Sequence, residues 1–268
     1  MVKSESSLRW PTSDELPGSD ETPVDNELQN LVPNLLGLIL GSLWGNRWDW
    51  FFGVDMGIYF RSSWANPRVP IVPDGFLSLG VDRVKGNRLR KSYFVWEEKD
   101  IIPTLVLEVV SEKYGGEYHE KMNKYARLGV LYYVIYNPEF FARHKEQPFE
   151  VYKLVNKTYR LQLGEPVWMP EIGLGIGRGT GTCWGLTQEW LFWYDEQGNR
   201  YLTPEETAKA EQQQRLEMSQ QVTEMSQQVR EMSQTITEMS QNMTEREKLL
   251  ARYREQFGQC NRDIAVRR

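Results

Sequence analysis

Histidine and cysteine are scarce in this 268-residue chain, which has two of each: His119, His144, Cys183 and Cys260. Two imidazoles exclude a multi-histidine metal centre and leave little room for Ser-His-Asp catalysis. The two cysteines lie far apart and match neither a disulfide framework nor a zinc spacing. Positive charge is not in excess either. The net charge of −5 argues against a protein that coats nucleic acid through bulk charge. No basic stretch leads into an apolar one near Met1, so no signal peptide is expected. The longest apolar run, Leu31 to Trp44, falls short of the roughly 20 residues needed to span a bilayer. It reads as a buried helix, and the expectation is a soluble, cytoplasmic protein with no membrane partner.

Hydrophobic residues make up 40% and charged residues 26%, the balance of a globular body. The charge is uneven. Residues 1–30 hold seven acids against two bases, an imbalance equal to that of the whole chain. Residues 1–25, rich in Ser, Pro and acids, read as an acidic flexible leader. Asp25 or Asn26 then supplies a helix N-cap, with Glu27 in the first turn, where an acid suits the helix dipole.

Strand patterns run from Asp49 to Phe60 and again up to Val72, ending at Pro73-Asp74-Gly75, with Phe76 to Val81 as a continuation. Residues 83–91 form a basic loop carrying Arg83, Lys85, Arg88, Arg90 and Lys91. Thr104 to Val110 is an apolar strand broken by Glu108. A helix follows from Glu117 to Leu128, stopped at Gly129, then a buried strand from Leu131 to Tyr136. A hairpin spans 149–163 and turns at Asn156-Lys157. This order predicts an α/β or α+β mixed sheet flanked by helices over residues 26–203, and α/β is the expected class. Glycines 173, 175, 177, 179 and 181 are spaced by two throughout. They fail the dinucleotide pattern G-x-G-x-x-G and read as loop or edge-strand glycines. Tyr194 to Tyr201 reads as the turn that closes the body.

After Pro204 the composition changes. Glu-Met-Ser-Gln recurs at 217, 224, 231 and 238 with a period of seven, which predicts a long coiled-coil helix over 204–257 and a basic tail over 258–268. Val222, Val229, Ile236, Met243, Leu250 and Phe257 fall at heptad position a. Met218, Met225, Met232, Met239 and Tyr253 fall at d, and Arg246 interrupts that series. β-Branched residues at a favour two parallel strands, so the expected partner is a second copy, a homodimer through residues 218–257.

Glu108 carries the chemistry. An unpaired carboxylate inside a buried strand costs several kcal/mol unless something compensates it. One reading is a strand-end glutamate that reaches solvent or an arginine; the other is a metal ligand. Asp74, at a sheet edge, favours the second, because neighbouring strands can converge the two acids on one hard cation. Oxygen-only ligation selects Mg²⁺ or Mn²⁺ over zinc. Such an ion allows phosphodiester hydrolysis without an imidazole base. Lys121, on the helix that follows the Glu108 strand and one turn before Tyr125, can hold the attacking water or stabilise the pentacovalent charge. Lys85, Arg88, Arg90 and Lys91 are the candidate DNA phosphate contacts, with Tyr93, Phe94 and Trp96 beside them either stacking on bases or beginning a strand.

Pro73-Asp74, Glu108-Val109-Val110-Ser111, Lys121-x-x-x-Tyr125-Ala126-x-x-Gly129-Val130 and Tyr133-Val134-Ile135, in that order, resemble the Uma-two family of restriction-endonuclease-like proteins. That family lies within the PD-(D/E)XK nuclease superfamily. The resemblance runs from Glu27 to Glu206. It implies a restriction-endonuclease-like fold, a metal-dependent endonuclease acting on DNA, and Asp74 and Glu108 as the metal-binding acids. The superfamily's lysine, two residues after the acid, falls on Val110 here, so the resemblance makes Lys121 its substitute. Where many members carry an aspartate four residues before that lysine, this chain has Glu117. Glu27 matches the place where the superfamily often adds an outer carboxylate. The missing lysine and the acidic leader keep a second reading open: a catalytically silent nuclease fold that binds nucleic acid or a partner and is oligomerised by its coiled coil.

Overall fold

A computed structural model describes residues 10–12, 15–18, 26–61, 66, 68–86, 88–112, 116–144 and 146–266. The chain divides into two units, Met1–Thr207 and Ala208–Arg268. In chain order the first unit holds α1 (Glu27–Leu43), β1 (Trp50–Val54), β2 (Ile58–Tyr59), β3 (Gly75–Leu79), β4 (Tyr93–Phe94) and β5 (Leu105–Val109). A π-helical turn (Glu117–Lys121) leads into α2 (Met122–Leu128), and β6 (Tyr132–Tyr136), α3 (Phe141–His144), β7 (Phe149–Val155) and β8 (Thr158–Leu161) follow. The last strands are β9 (Val167–Met169), β10 (Leu174–Cys183) and β11 (Leu186–Tyr194). The long helix α4 (Pro204–Val266) completes the chain.

Six strands form a mixed sheet in the order β1-β3-β5-β6-β7-β8. Only the β5–β6 pair is parallel, and α2 makes the crossover between those strands. Side chains alternate across β5. Leu105, Leu107 and Val109 enter the core shared with α1 and the three-stranded sheet β11-β10-β9. Val106 and Val110 enter the core on the other face, with Tyr125, Tyr133 and Tyr93. Both faces of the strand are therefore dry, and Glu108, fully buried, belongs by alternation to the Val106 face.

The apolar run from Leu31 lies in α1, which buries Val32, Leu35, Leu36, Ile39 and Leu40, with Asn26 as its N-cap, accepting from Gln29 N at 3.0 Å. No helix among the described residues is long and apolar enough to cross a membrane. The Asn156-Lys157 hairpin turn is as expected, with φ of 51° and 64°.

Three expectations need correction. The strand expected before Pro73 reduces to a single bridge, Ile58 with Ile71. Pro70 and Pro73 have no N–H to offer a ladder, so the strand begins after Asp74, at Gly75. Of the evenly spaced glycines, 175, 177, 179 and 181 lie in the middle strand of the small sheet, while Gly173 lies in the turn before it. Rings from β11 cover two of them: a Cβ on Gly181 would sit 2.6 Å from Phe192 Cζ, and one on Gly179 2.7 Å from the Tyr194 hydroxyl. Residues 10–12 and 15–18 of the expected leader are tied to the body. Trp96 Nε1 donates to Pro11 O at 3.2 Å, and Tyr59 and Ser92 donate to Pro17 O. The rest of the leader lies outside the described residues.

The junction with α4 is a reciprocal cap. Glu206 N donates to Thr203 Oγ1 at 3.1 Å, Thr203 N donates to Glu206 Oε2 at 3.0 Å, and Pro204 opens the helix. Of the second unit, residues 208–266 are one helix, so the expected basic tail continues it as far as Val266.

Candidate active site

Asp74 and Glu108 meet because their strands pair. Gly75 stands opposite Leu107 in the antiparallel β3–β5 register, and one further rung sets Asp74 beside Glu108. Asp74 Oδ2 accepts from Val109 N at 2.6 Å, which draws the side chain onto the end of β5. Asp74 is half-buried, and among the described residues its Oδ1 has no hydrogen bond. Glu108 is enclosed. Its Oε2 accepts from Lys121 Nζ at 2.8 Å and its Oε1 from the Tyr125 hydroxyl at 2.6 Å.

The π-turn and α2 supply that cover. Lys121 and Tyr125 are four residues apart and share a helix face, and the helix packs with that face on Glu108. Glu117, also buried, stands 3.6 Å from Lys121 Nζ, so the ammonium lies between two carboxylates. Tyr133 on β6 donates to Glu117 O at 2.8 Å and fixes the start of the turn. Lys124 points elsewhere, pairing with Glu120 at 2.7 Å. Val110, where the superfamily's lysine would stand, is buried in the apolar core on the α2 side.

The electrostatics follow from crowding. Burial raises the Asp74 carboxyl well above the usual range, and the neighbouring Glu108 charge raises it further, against the pull of Val109 N–H and Lys121. Burial also raises Glu108, with Lys121 and the Tyr125 hydroxyl opposing it. Burial acts to lower Lys121, but Glu108, Glu117 and Asp74 outweigh it, so its pKa is raised and the ammonium stays charged. Tyr125 is pushed up by burial and by Glu108, and remains a donor.

These donors suit a hard divalent cation. Asp74 and Glu108 stand on paired strand positions, Asp74 Oδ1 has no hydrogen bond, and among the described residues neither is paired with an arginine, while Lys121 and Tyr125 hold both oxygens of Glu108. Among the described residues no group of three or more His, Cys, Asp or Glu side chains forms a metal cage, so protein carboxylates would supply only part of a coordination shell.

The other expected site residues lie apart. Glu27 is exposed in the first turn of α1 and borders a cavity with Tyr136, Glu139 and Glu189, whose lining includes neither Asp74 nor Glu108. Gln29, two residues on, reaches the site instead, its Nε2 donating to Val109 O at 3.2 Å. A two-residue step turns the helix by roughly 200°, which is why one residue reaches β5 and the other does not.

In the basic loop, Arg90 is not available to phosphate. Its guanidinium pairs with Glu98 at 2.9 Å, donates to the carbonyls of Asp82 and Arg83, and lies 4.5 Å over the Phe51 ring. The side chains of this pair are only 3% and 6% exposed. Lys85 is exposed and paired with Glu97 at 2.7 Å. Arg88 and Lys91 are exposed as well. Tyr93 and Phe94 form β4 and are buried, Phe94 stacking on Tyr59 at 4.5 Å, so they contribute to the core.

Tyr125 and Glu117 complete the cluster, although neither was assigned a role from sequence. The signal was the four-residue spacing that places Glu117, Lys121 and Tyr125 on one helical face. No curated protein and no solved structure matches the chain. The model of the Uma2 family, described as "Putative restriction endonuclease", matches residues 8–180, from within the leader to the middle of β10. It stops before the closing Trp193–Glu206 segment that the resemblance had included. The match spans well over half of the chain and contains Asp74, Glu108, Lys121 and Tyr125, so the chain belongs to the Uma2 family, consistent with a nuclease of the PD-(D/E)XK type.

Proposed function

We propose that the protein is a Mg²⁺- or Mn²⁺-dependent endonuclease that hydrolyses DNA phosphodiester bonds in the cytoplasm. One observation carries the reading: Glu108, fully buried inside an apolar strand, lies beside Asp74 and beneath Lys121. A fold that only needed a filled core would gain by an apolar residue there. Asp74 and Glu108 would hold the cation, which when bound polarises a phosphoryl oxygen and lowers the pKa of a coordinated water. Lys121 orients the attacking water and offsets charge developing on the phosphoryl oxygens. Tyr125 and Glu117 are positioning residues, the first fixing Glu108 and the second steadying the ammonium. Arg88 and Lys91 contact the DNA backbone, and pairing of the C-terminal helices over 218–257 joins two copies, which suits cleavage of two strands.

A second reading draws support from Lys121 and Tyr125, which already occupy both oxygens of Glu108. In that reading the ion pair is structural, and the domain binds nucleic acid without cutting it. Supercoiled plasmid incubated with the purified protein and Mg²⁺ or Mn²⁺ separates the two. Nicking or linearisation that disappears in Asp74→Ala and Glu108→Ala supports the nuclease. Unchanged plasmid, with no heat of cation binding by calorimetry, supports the silent fold.

A further inference from the structure

The C-terminal helix has an apolar seam that is open along its length: Val222, Val229, Ile236 and Met243 at a, and Met218, Met225, Met232 and Met239 at d, are each at least 60% exposed. A seam of this kind is stable when another helix covers it. The four Glu-Met-Ser-Gln repeats leave its register undetermined, because a slide of seven residues replaces Met by Met and Val by Val or Ile. The flanks do not resolve this either. The e positions Ser219, Ser226, Ser233 and Ser240, and the g positions Gln221, Gln228, Thr235 and Asn242, are uncharged. The ion pairs that ordinarily set partner and register are therefore missing over four heptads.

The next heptad differs. Arg246 stands at d and Glu247 at e, and among the described residues neither forms an ion pair within its own chain. In a parallel two-stranded coil, a d side chain packs into a hole bordered by the partner's e residue. We infer that a second copy of this chain covers the seam, parallel and in register, and that Arg246 of each helix pairs with Glu247 of the partner subunit to set that register. The inference rests on the helix pairing proposed above.

Other arrangements fail one requirement or the other. A parallel slip of one heptad sets one Arg246 beside Arg254 and the other beside Ser240. An antiparallel pair covering Met218 to Met243 sets Arg246 against Arg215, and one extended to Leu250 or Phe257 sets it against Val222 or Val229, flanked by Gln and Ser. An antiparallel pair that brings Arg246 to Glu247 leaves Met218 to Val229 uncovered. Only the parallel in-register pair buries the full seam and gives both arginines a carboxylate, which offsets the like charge of the two Arg246 that share one d layer. Both nuclease domains then begin their helices at the same end of the coil.

Disulfide trapping tests this in the full chain carrying Cys260→Ser. Under mild oxidation Met225→Cys should cross-link to itself, while a mixture of tagged Met225→Cys with Met232→Cys should give little mixed product. Adding Glu247→Arg should lower the Met225 self-product by roughly threefold to tenfold, the range for losing two flanking ion pairs, and raise the mixed product. Arg246→Glu on top of Glu247→Arg should restore the first pattern. Light scattering of the unmodified chain should give the mass of two subunits. A monomer at micromolar concentration would remove the pairing itself. A dimer whose Met225→Cys form does not self-link, or whose register ignores Glu247→Arg, would overturn the orientation and register while leaving the pairing intact.

Discussion

Lys121 Nζ lies 2.8 Å from Glu108 Oε2, across the gap between the π-turn and β5, while Val110 occupies the strand position where the superfamily's lysine would stand. In the proposed function this places the ammonium on the helical turn, paired with Glu108. A lysine on the strand would be fixed by the sheet. A lysine on a helical turn depends on the packing of that turn, and here Tyr133 holds the turn's first carbonyl.

Lys121→Ala should therefore both inactivate and destabilise. Breaking a buried pair by removing one partner costs about 3–5 kcal/mol, and the partly exposed lysine end reduces that to about 2–3 kcal/mol here. The check is urea unfolding of three variants. Lys121→Ala should lose stability, Lys121→Ala with Glu108→Gln should recover most of it, and Lys124→Ala should stay within about 0.5 kcal/mol of the parent. Equal losses in Lys121→Ala and Lys124→Ala would contradict the placement.

Asp74→Asn should raise thermal stability at neutral pH. Burial and the Glu108 charge raise the folded-state pKa of Asp74. The folded state therefore binds this proton more tightly than the unfolded state does. The resulting stabilisation is fully present below the ordinary aspartate range and is lost as pH rises through the raised pKa. An asparagine, still able to accept from Val109 N, escapes that loss. The melting-temperature gain of Asp74→Asn over the parent should thus be positive at pH 7 and shrink on acidification. Mg²⁺ should reverse the order at pH 7 by stabilising only the parent.

Glu108 was legible because it violates a pattern: a glutamate inside Leu-Val-Leu-Glu-Val has no place in a doubly buried strand without a partner. Lys121 was singled out through the family resemblance, because a helix lysine carries no sequence signal that separates it from a solvated one. Glu27 was not placed correctly, because the rotation of α1 is set by its buried Leu35, Leu36 and Ile39 face, and that rotation presents Gln29 to β5. The role of Arg90 was hidden because its carboxylate, Glu98, lies outside the loop and beyond two strand residues. Ion pairs that close by tertiary packing leave no local signature.

Gly181→Ala should cost about 1–3 kcal/mol, the usual penalty for overpacking, because its Cβ would meet the Phe192 ring end at 2.6 Å. Gly185→Ala, with nothing near its Cβ but a φ of +75°, should be strained by its backbone alone. Adding Phe192→Leu to each separates the two causes. It should relieve Gly181→Ala and leave the cost of Gly185→Ala unchanged.

The basic loop gives the last contrast. Arg90→Ala leaves buried Glu98 with only the longer 3.7 Å contact to Lys85 and should cost about 2–4 kcal/mol of stability, seen as a lower urea midpoint. Arg88→Ala and Lys91→Ala remove exposed charges and should leave stability within about 0.5 kcal/mol. If these two touch phosphate, each should weaken DNA binding about equally for all sequences. Each should also flatten the dependence of log affinity on log salt by about one unit. Binding by the Asp74→Ala form, titrated against salt by fluorescence anisotropy, measures that slope. An unchanged slope in the Arg88→Ala, Lys91→Ala double variant would move the DNA-binding face away from this loop, since a phosphate contact cannot be lost without losing the counterion it releases.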